Sequence, residues 1–249
     1  MNKTLKKAIL ITSALAATSV AGLVVTGRKT GWGPFRNLYD WDEETDKVRK
    51  KYDPEANKGG IIFYGASNFR LWKEMEEDLS EYRVQNHGFG GSTDELLIRY
   101  AEKLLYPYDP AIVVFQTGSN DYVYMKGSDT EIASTCVDKK KAMFELFHDM
   151  LPDAKFVVMS GILMPGRDEY TPIVRLVNEA LKEYCEGVEW LYYADSEDMT
   201  FIDGEYREDY FIKDGIHLTH EARLEWRDLY IKPMLERVIK ENGLESVRR

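Results

Sequence analysis

Cysteine is almost missing from this chain: Cys136 and Cys185 are the two it has, and neither stands at metal-ligand spacing from a second cysteine or a histidine. That excludes a zinc site of the usual kind. Histidine is scarce as well, so any imidazole chemistry must draw on His87, His148, His217 or His220. An excess of positive charge is also lacking. Acidic residues outnumber basic ones 43 to 33, for a formal net charge of −10. Five of the basic residues lie in the first 29, where there is no acidic one, so the remainder is more acidic still. A surface built to bind nucleic acid is therefore excluded. There is no internal repeat and no low-complexity tract. What is present is 249 residues, 44% of them hydrophobic, which suffices for one well-packed domain and not for two large ones.

Long apolar runs are confined to the N-terminus. Lys3, Lys6 and Lys7 precede an uncharged stretch from Ala8 to Val25, and Arg28 and Lys29 follow it. This pattern reads as an export signal, just long enough to span a bilayer, with the lysine excess keeping the N-terminus inside. Ser19 and Ala21 suit a cleavage site, whereas the apolar Gly22-Leu23-Val24-Val25 beyond them suits an uncleaved anchor better. No cysteine follows to carry a lipid. The expected organisation is a signal anchor or signal peptide over 1–27, a linker and amphipathic helix over 28–58, and the main domain over 59–249. The helix is expected over Phe35 to Tyr52, where Leu38, Trp41, Thr45 and Val48 recur at helical spacing.

From Ile61 onward, short apolar runs alternate with longer amphipathic ones. Strands are expected at Ile61–Tyr64, Tyr82–Asn86, Ala111–Gln116, Lys155–Ser160 and Val188–Ala194. Helices are expected near Phe69–Leu79, Asp94–Leu104, Glu131–Met150, Pro172–Glu186 and Glu221–Asn242. This alternation implies an α/β domain: a parallel sheet covered on both faces through right-handed crossovers.

Function in such a sheet collects at the carboxyl ends of the strands. Three unusual loops fall there: Gly65-Ala66-Ser67-Asn68, Gly88-Phe89-Gly90-Gly91-Ser92 and Gly118-Ser119-Asn120-Asp121. Ser67 stands where a strand turns into a helix, as a nucleophile would, and equally as an N-cap would. A serine nucleophile needs a base. His148 lies near a helix end, where the helix dipole accounts for it. His87 could touch substrate but has no carboxylate placed beside it, and His220 reads as the start of the last helix. His217 follows Asp214 by three residues in a turn, which lets the carboxylate reach Nδ1 and leaves Nε2 for the serine. Taken alone, Asp214 could merely stabilise the turn. Gly91 and Asn120 could donate N–H groups to an oxyanion, or could be a tight turn and an Asx-turn.

Together these blocks resemble the SGNH hydrolases, also called GDSL esterases. The four namesake residues match Ser67 in Gly-Ala-Ser-Asn, Gly91 in Gly-Phe-Gly-Gly-Ser-Thr, Asn120 in Gly-Ser-Asn-Asp and His217 in Asp-Gly-Ile-His, over a stretch from about Ile61 to Pro233. The resemblance implies a three-layer α/β/α, flavodoxin-like sandwich with a five-stranded parallel sheet in the order 2-1-3-4-5. It implies Ser67, His217 and Asp214 as a triad, with Ser67, Gly91 and Asn120 forming the oxyanion hole and no metal or cofactor. One departure is Ala66, where the family usually carries aspartate, so support for that loop must come from elsewhere. The implied topology also puts Cys136 and Cys185 on opposite edges of the sheet, too far apart for a disulfide.

The expected activity is hydrolysis of carboxylic esters outside the cytoplasm, with short acyl groups on carbohydrate as the substrate. Acyl transfer, lysophospholipase or lipase action and a non-catalytic surface-binding role are the alternatives. No long apolar insertion resembling a lipase lid interrupts the domain. Trp72, Phe89, Tyr122 and Tyr124 could line a sugar or acyl site, or belong to the core. A dinucleotide fingerprint at Gly88-x-Gly90 fails because Thr93 occupies the third glycine position and the motif follows the second strand.

Overall fold

The computed structural model describes residues 41–249. The chain divides into two compact units, Met1–Glu44 and Thr45–Arg249. Of the first, only the start of a helix is described, so the expected export segment at 1–27 and the linker after it lie outside the described residues. Among the described residues, no helix is long and apolar enough to cross a membrane.

The second unit carries the sheet. Strands β1 (Ile61–Gly65), β2 (Val84–Asn86), β3 (Ile112–Gln116), β4 (Lys155–Met159) and β5 (Leu191–Ala194) pair in parallel in the order 2-1-3-4-5. Besides single turns at Pro54–Asn57 and Met75–Asp78, the helices are α1 (Trp41–Lys51), α2 (Ser67–Arg70), α3 (Asp94–Leu104), α4 (Asp129–Met150), α5 (Thr171–Glu186), α6 (His220–Trp226) and α7 (Lys232–Asn242). Every residue of β1 is buried, as a strand covered on both faces requires. Ile61 and Phe63 face a core shared with Val114, Met159, Trp226 of α6 and Leu235 and Ile239 of α7. Tyr64 faces the other way. Its ring meets Phe115 and Phe147 of α4, and its hydroxyl donates to Leu97 O on α3 at 2.7 Å. The three layers of the expected sandwich follow from this alternation.

The strands expected at Tyr82–Asn86 and Val188–Ala194 begin only at Val84 and Leu191, and three further elements depart more from the sequence expectation. The helix expected over Phe69–Leu79 is two short turns, Ser67–Arg70 and Met75–Asp78. At the break, Asn86 Nδ2 on β2 donates to Phe69 O at 2.6 Å and to Trp72 O at 3.0 Å, while the same carbonyls accept three-residue turn bonds from Trp72 N–H (2.9 Å) and Met75 N–H (3.4 Å). The last helix is interrupted by a π-turn at Arg227–Ile231. Pro233, the second residue of α7, has no N–H to continue the regular ladder. Finally, a small hairpin, Phe201–Ile202 with Glu205–Tyr206, has no counterpart among the expected elements. Its turn residues Asp203 and Gly204 both have positive φ (54° and 89°), the Asp-Gly signature of a tight hairpin.

Of the expected amphipathic helix, the described part is α1, whose Thr45 is fully buried and accepts a bond from Lys103 Nζ at 2.9 Å. His87, just past β2, is also fully buried, between the rings of Tyr52 (5.0 Å) and Tyr108 (4.5 Å). Its Nδ1 donates to Leu104 O at 2.6 Å. Burial lowers its pKa to about 4. The unfolded chain takes up this proton near the ordinary value of about 6.5, so between the two pH values it binds more protons than the folded chain. Stability attributable to His87 is therefore whole above about pH 6.5 and is lost as pH falls towards 4, by about 3 kcal/mol in all. Urea unfolding from pH 7 to pH 4 should show a shallower loss in His87→Asn, which keeps a neutral donor near Nδ1, than in the wild type. Parallel curves would contradict this.

Candidate active site

The parallel sheet brings the ends of β1, β2 and β3 to one edge, and three bonds join the loops that leave them. Ala66 N–H donates to Gln116 O at 3.2 Å, Phe89 N–H to Gly65 O at 3.1 Å, and the Ser92 hydroxyl to Gly65 O at 3.2 Å. Ser67 is the first residue of α2. The N-cap position belongs to Ala66, and no side chain caps the helix. The Ser67 hydroxyl is thus not spent as a cap, which disposes of the simpler reading of this serine.

The turn before α6 brings His217 to it. His217 Nδ1 donates to Asp214 Oδ2 at 2.6 Å, which leaves Nε2 as the acceptor for the Ser67 hydroxyl at 2.8 Å. Asp214 has a second duty: its Oδ1 accepts the backbone N–H groups of Ile216 (2.9 Å) and His217 (3.0 Å). Both readings of Asp214, turn stabiliser and histidine partner, describe the same carboxylate, one oxygen for each. Burial alone would raise its pKa, but the His217 N–H, the imidazole and the Ile216 N–H together hold it below the ordinary aspartate value.

On the other side, Asn120 is buried and both ends of its amide are engaged. Nδ2 donates to Ser92 O at 2.9 Å, and Oδ1 accepts from Arg167 Nη2 at 3.1 Å. Asn120 is therefore bonded to the residue after Gly91, whose φ of +67° is a conformation other residues rarely adopt. Ser67, Asp214 and His217 are joined in one hydrogen-bonded chain, and Asn120 is tied to the glycine loop beside it. A hydroxyl bonded to an imidazole that a carboxylate orients is an arrangement able to supply a nucleophile.

The family profile for GDSL-like lipases and acylhydrolases matches residues 59–222. The chain belongs to this family. No curated protein matches it by sequence. Among solved structures, a provisionally assigned acylhydrolase from Bacteroides fragilis shares 17% identity, with a TM-score of 0.63, over 82% of this chain and 99% of its own. A GDSL-like lipase from Bacteroides thetaiotaomicron shares 15% with a TM-score of 0.60, over 81% and 98%. A carbohydrate esterase family 3 protein from Talaromyces cellulolyticus shares 16% with a TM-score of 0.53, over 73% and 99%. These likenesses show a common fold.

Where the GDSL family usually has aspartate, Ala66 is buried. The loop is held by the Ala66 backbone bond to Gln116 O, which any residue but proline would make there, and by Asn68, whose Oδ1 accepts Leu218 N–H at 3.2 Å and so ties the serine helix to the histidine turn. The other histidines stay away from Ser67. His87 is in the core and does not line the crevice. His148 stacks on Trp190 at 4.1 Å, so ring packing accounts for it better than the helix dipole does. His220 begins α6, capped by Thr219. Thr93, at the missing third glycine of the nucleotide fingerprint, is the N-cap of α3. Of the aromatics considered for a substrate surface, Trp72, Phe89 and Tyr122 are core, and Tyr124 is exposed. Cys136 and Cys185 are free and buried, and burial raises their pKa values to about 11 and about 12.

Sequence reasoning missed a buried charge cluster among these loops. Lys140 Nζ donates to both carboxylate oxygens of Asp94 at 3.0 Å, with both side chains almost fully buried. The Thr117 hydroxyl donates to Asp94 Oδ1 at 2.7 Å, and Asp94 N–H donates to Asp121 Oδ1 at 3.1 Å. Burial and the neighbouring Asp94 charge raise Asp121 to about 7. The available signal is Lys140 itself, a lysine in the apolar stripe of α4 between Cys136, Val137, Met143 and Phe144. Removing one partner of such a pair leaves a buried charge uncompensated. Lys140→Met should cost about 3–5 kcal/mol in urea unfolding, and Asp94→Asn added to it should recover part of the loss. A neutral Lys140→Met would contradict the role given to the pair.

Proposed function

We propose that this protein is an exported serine esterase that removes short acyl groups, O-acetyl above all, from carbohydrate. In this reading Ser67 Oγ attacks the ester carbonyl while its proton passes to His217 Nε2, and Asp214 holds the imidazole and stabilises the cation that forms. The negative charge on the carbonyl oxygen is met by the N–H groups of Ser67 and Gly91 and by the Asn120 amide. Collapse breaks the bond to the alcohol, which leaves with the proton from His217. Water then attacks the acyl-serine, giving a proton to His217, and the second collapse frees the acid and returns that proton to Ser67.

The observation that carries the reading is the unbroken chain from Ser67 Oγ to His217 Nε2 at 2.8 Å and from His217 Nδ1 to Asp214 at 2.6 Å. It favours catalysis over a binding role, since binding does not call for an oriented imidazole on a serine. The preference for small acyl groups on sugars draws on weaker support. The carbohydrate esterase from Talaromyces cellulolyticus and an acetyl esterase, solved as a serine-to-alanine mutant with an acetate ion, share the fold. Export draws on the lysines at 3, 6 and 7 and the uncharged run from Ala8 to Val25. The membrane is reached through this N-terminal segment alone, as an anchor or as a cleaved signal.

Acetate release from acetylated glycans, compared with release of longer acids from matching esters, tests the activity and the acyl preference together. Ser67→Ala should abolish release. Asn120→Ala should lower kcat roughly 10²–10³-fold with little change in KM. Acetate release undiminished in Ser67→Ala, or no release by the wild type from any of the esters, would end this reading.

A further inference from the structure

Arg167 lies on the Pro165-Gly166-Arg167 segment that follows β4, outside the blocks by which the site was found in the sequence. Its side chain is buried, and its guanidinium forks over the third loop: Nη1 donates to Ser119 O and Nη2 to Asn120 Oδ1, the latter at 3.1 Å. An amide side chain has an acceptor end and a donor end. A guanidinium has donors only, so it can bind only the acceptor end. With Oδ1 held by Arg167, the NH₂ group is turned the other way. One of its hydrogens goes to Ser92 O, beside Gly91; with Asn120 read as an oxyanion donor, the second serves the substrate. Without the guanidinium, the bond to Ser92 O alone would hold the amide, and any rotation that turned the oxygen to the place of the donor would repel a developing oxyanion.

The segment that carries Arg167 is itself fixed to the histidine turn. Gly166 N–H donates to Gly215 O at 2.9 Å. A Cβ on Gly166 would lie 2.4 Å from Asp214 O, and one on Gly215 would lie 2.8 Å from Gly166 N, so the two backbones touch with no room for a side chain. The same short strap therefore leans on the turn that presents His217 and reaches across to Asn120. Nearby, burial pushes the Tyr122 hydroxyl up to about 12 against the pull of the Arg167 guanidinium.

We propose that Arg167 is a positioning residue that holds the Asn120 amide with its N–H turned toward the reacting carbonyl, so that the strap after β4 sets the oxyanion site and the histidine turn together. The inference rests on the reading of Asn120 as an oxyanion donor, and its test has one readout that depends on turnover and one that does not. In the first, Arg167→Met should lower kcat per folded molecule roughly tenfold or more, leave KM within about twofold, and leave the pH midpoint of the acid limb of kcat/KM unmoved. In an Asn120→Ala background the same substitution should cost less than about twofold, because a residue that acts through Asn120 has nothing left to act on. Arg167→Lys, which keeps the charge and loses the fork, should behave much like Arg167→Met.

In the second readout, the side-chain NH₂ signals of Asn120 in a ¹⁵N spectrum, assigned by their loss in Asn120→Ala, should shift or broaden in Arg167→Met. Additive losses in the double variant, a moved acid limb, full activity in Arg167→Lys or unchanged Asn120 signals would each overturn the inference. A wild type that hydrolyses no ester, with Asn120 signals that still respond to Arg167→Met, would sink the proposed hydrolysis and leave the amide clamp standing.

Discussion

The pairing of β1 with β3 sets the height of everything at the site edge. Gly65 stands opposite Gln116, so the chain leaves both strands at the same level, and the Ala66 N–H bond to Gln116 O carries the pairing one residue beyond the strand. A slip of one residue would exchange the two faces of β1, burying Phe63 where Tyr64 belongs. The core on each side opposes that slip. Phe63 is packed edge-on against Phe69 and Trp72, and Tyr64 is bonded to Leu97 O. The position of Ser67 relative to the Gly118–Asn120 loop is thus enforced by ring packing beneath the site.

Polar contacts then determine the finer geometry. Asp214 divides its two oxygens between the shape of its turn and the orientation of the imidazole. Asn120 divides its amide between Ser92 and Arg167. The Asp94–Lys140 pair joins α3 to α4 close to the loops those helices flank. Each of these groups is held at more than one point, which fixes a side chain far better than a single bond does. Ala66 adds only its backbone bond to this network, and Asn68 supplies a side-chain tie between the serine helix and the histidine turn.

Much of this is legible in the sequence, for reasons that differ from residue to residue. The bounds of α3 can be read because Thr93 caps a clean apolar stripe. Asp214 and His217 can be read because their interaction spans one turn of chain. The false helix over Phe69–Leu79 arises because its apolar spacing is genuine, while the side chain bonded at its break, Asn86, comes from β2. Lys140 with Asp94 and Arg167 with Asn120 are separated by 46 and 47 residues. Local periodicity carries no information on which distant polar groups will meet, so these pairs come to light only in three dimensions. The hairpin at Asp203-Gly204 is a different case, since its turn signal is local and sufficient.

Ser67 and the imidazole it bonds are 150 residues apart. A chain made from its N-terminus completes β1 and the serine helix long before the histidine turn exists, and that turn rests on α6, near the end of the domain. Contacts this distant close late and carry a large loop entropy. On the proposed reading, a nascent, truncated or partly folded form therefore holds Ser67 without the imidazole assigned to activate it. The long separation would then couple the chemistry proposed for Ser67 to completion of the fold, since loss of the final helices would remove its imidazole partner without touching any of the three strand-end loops.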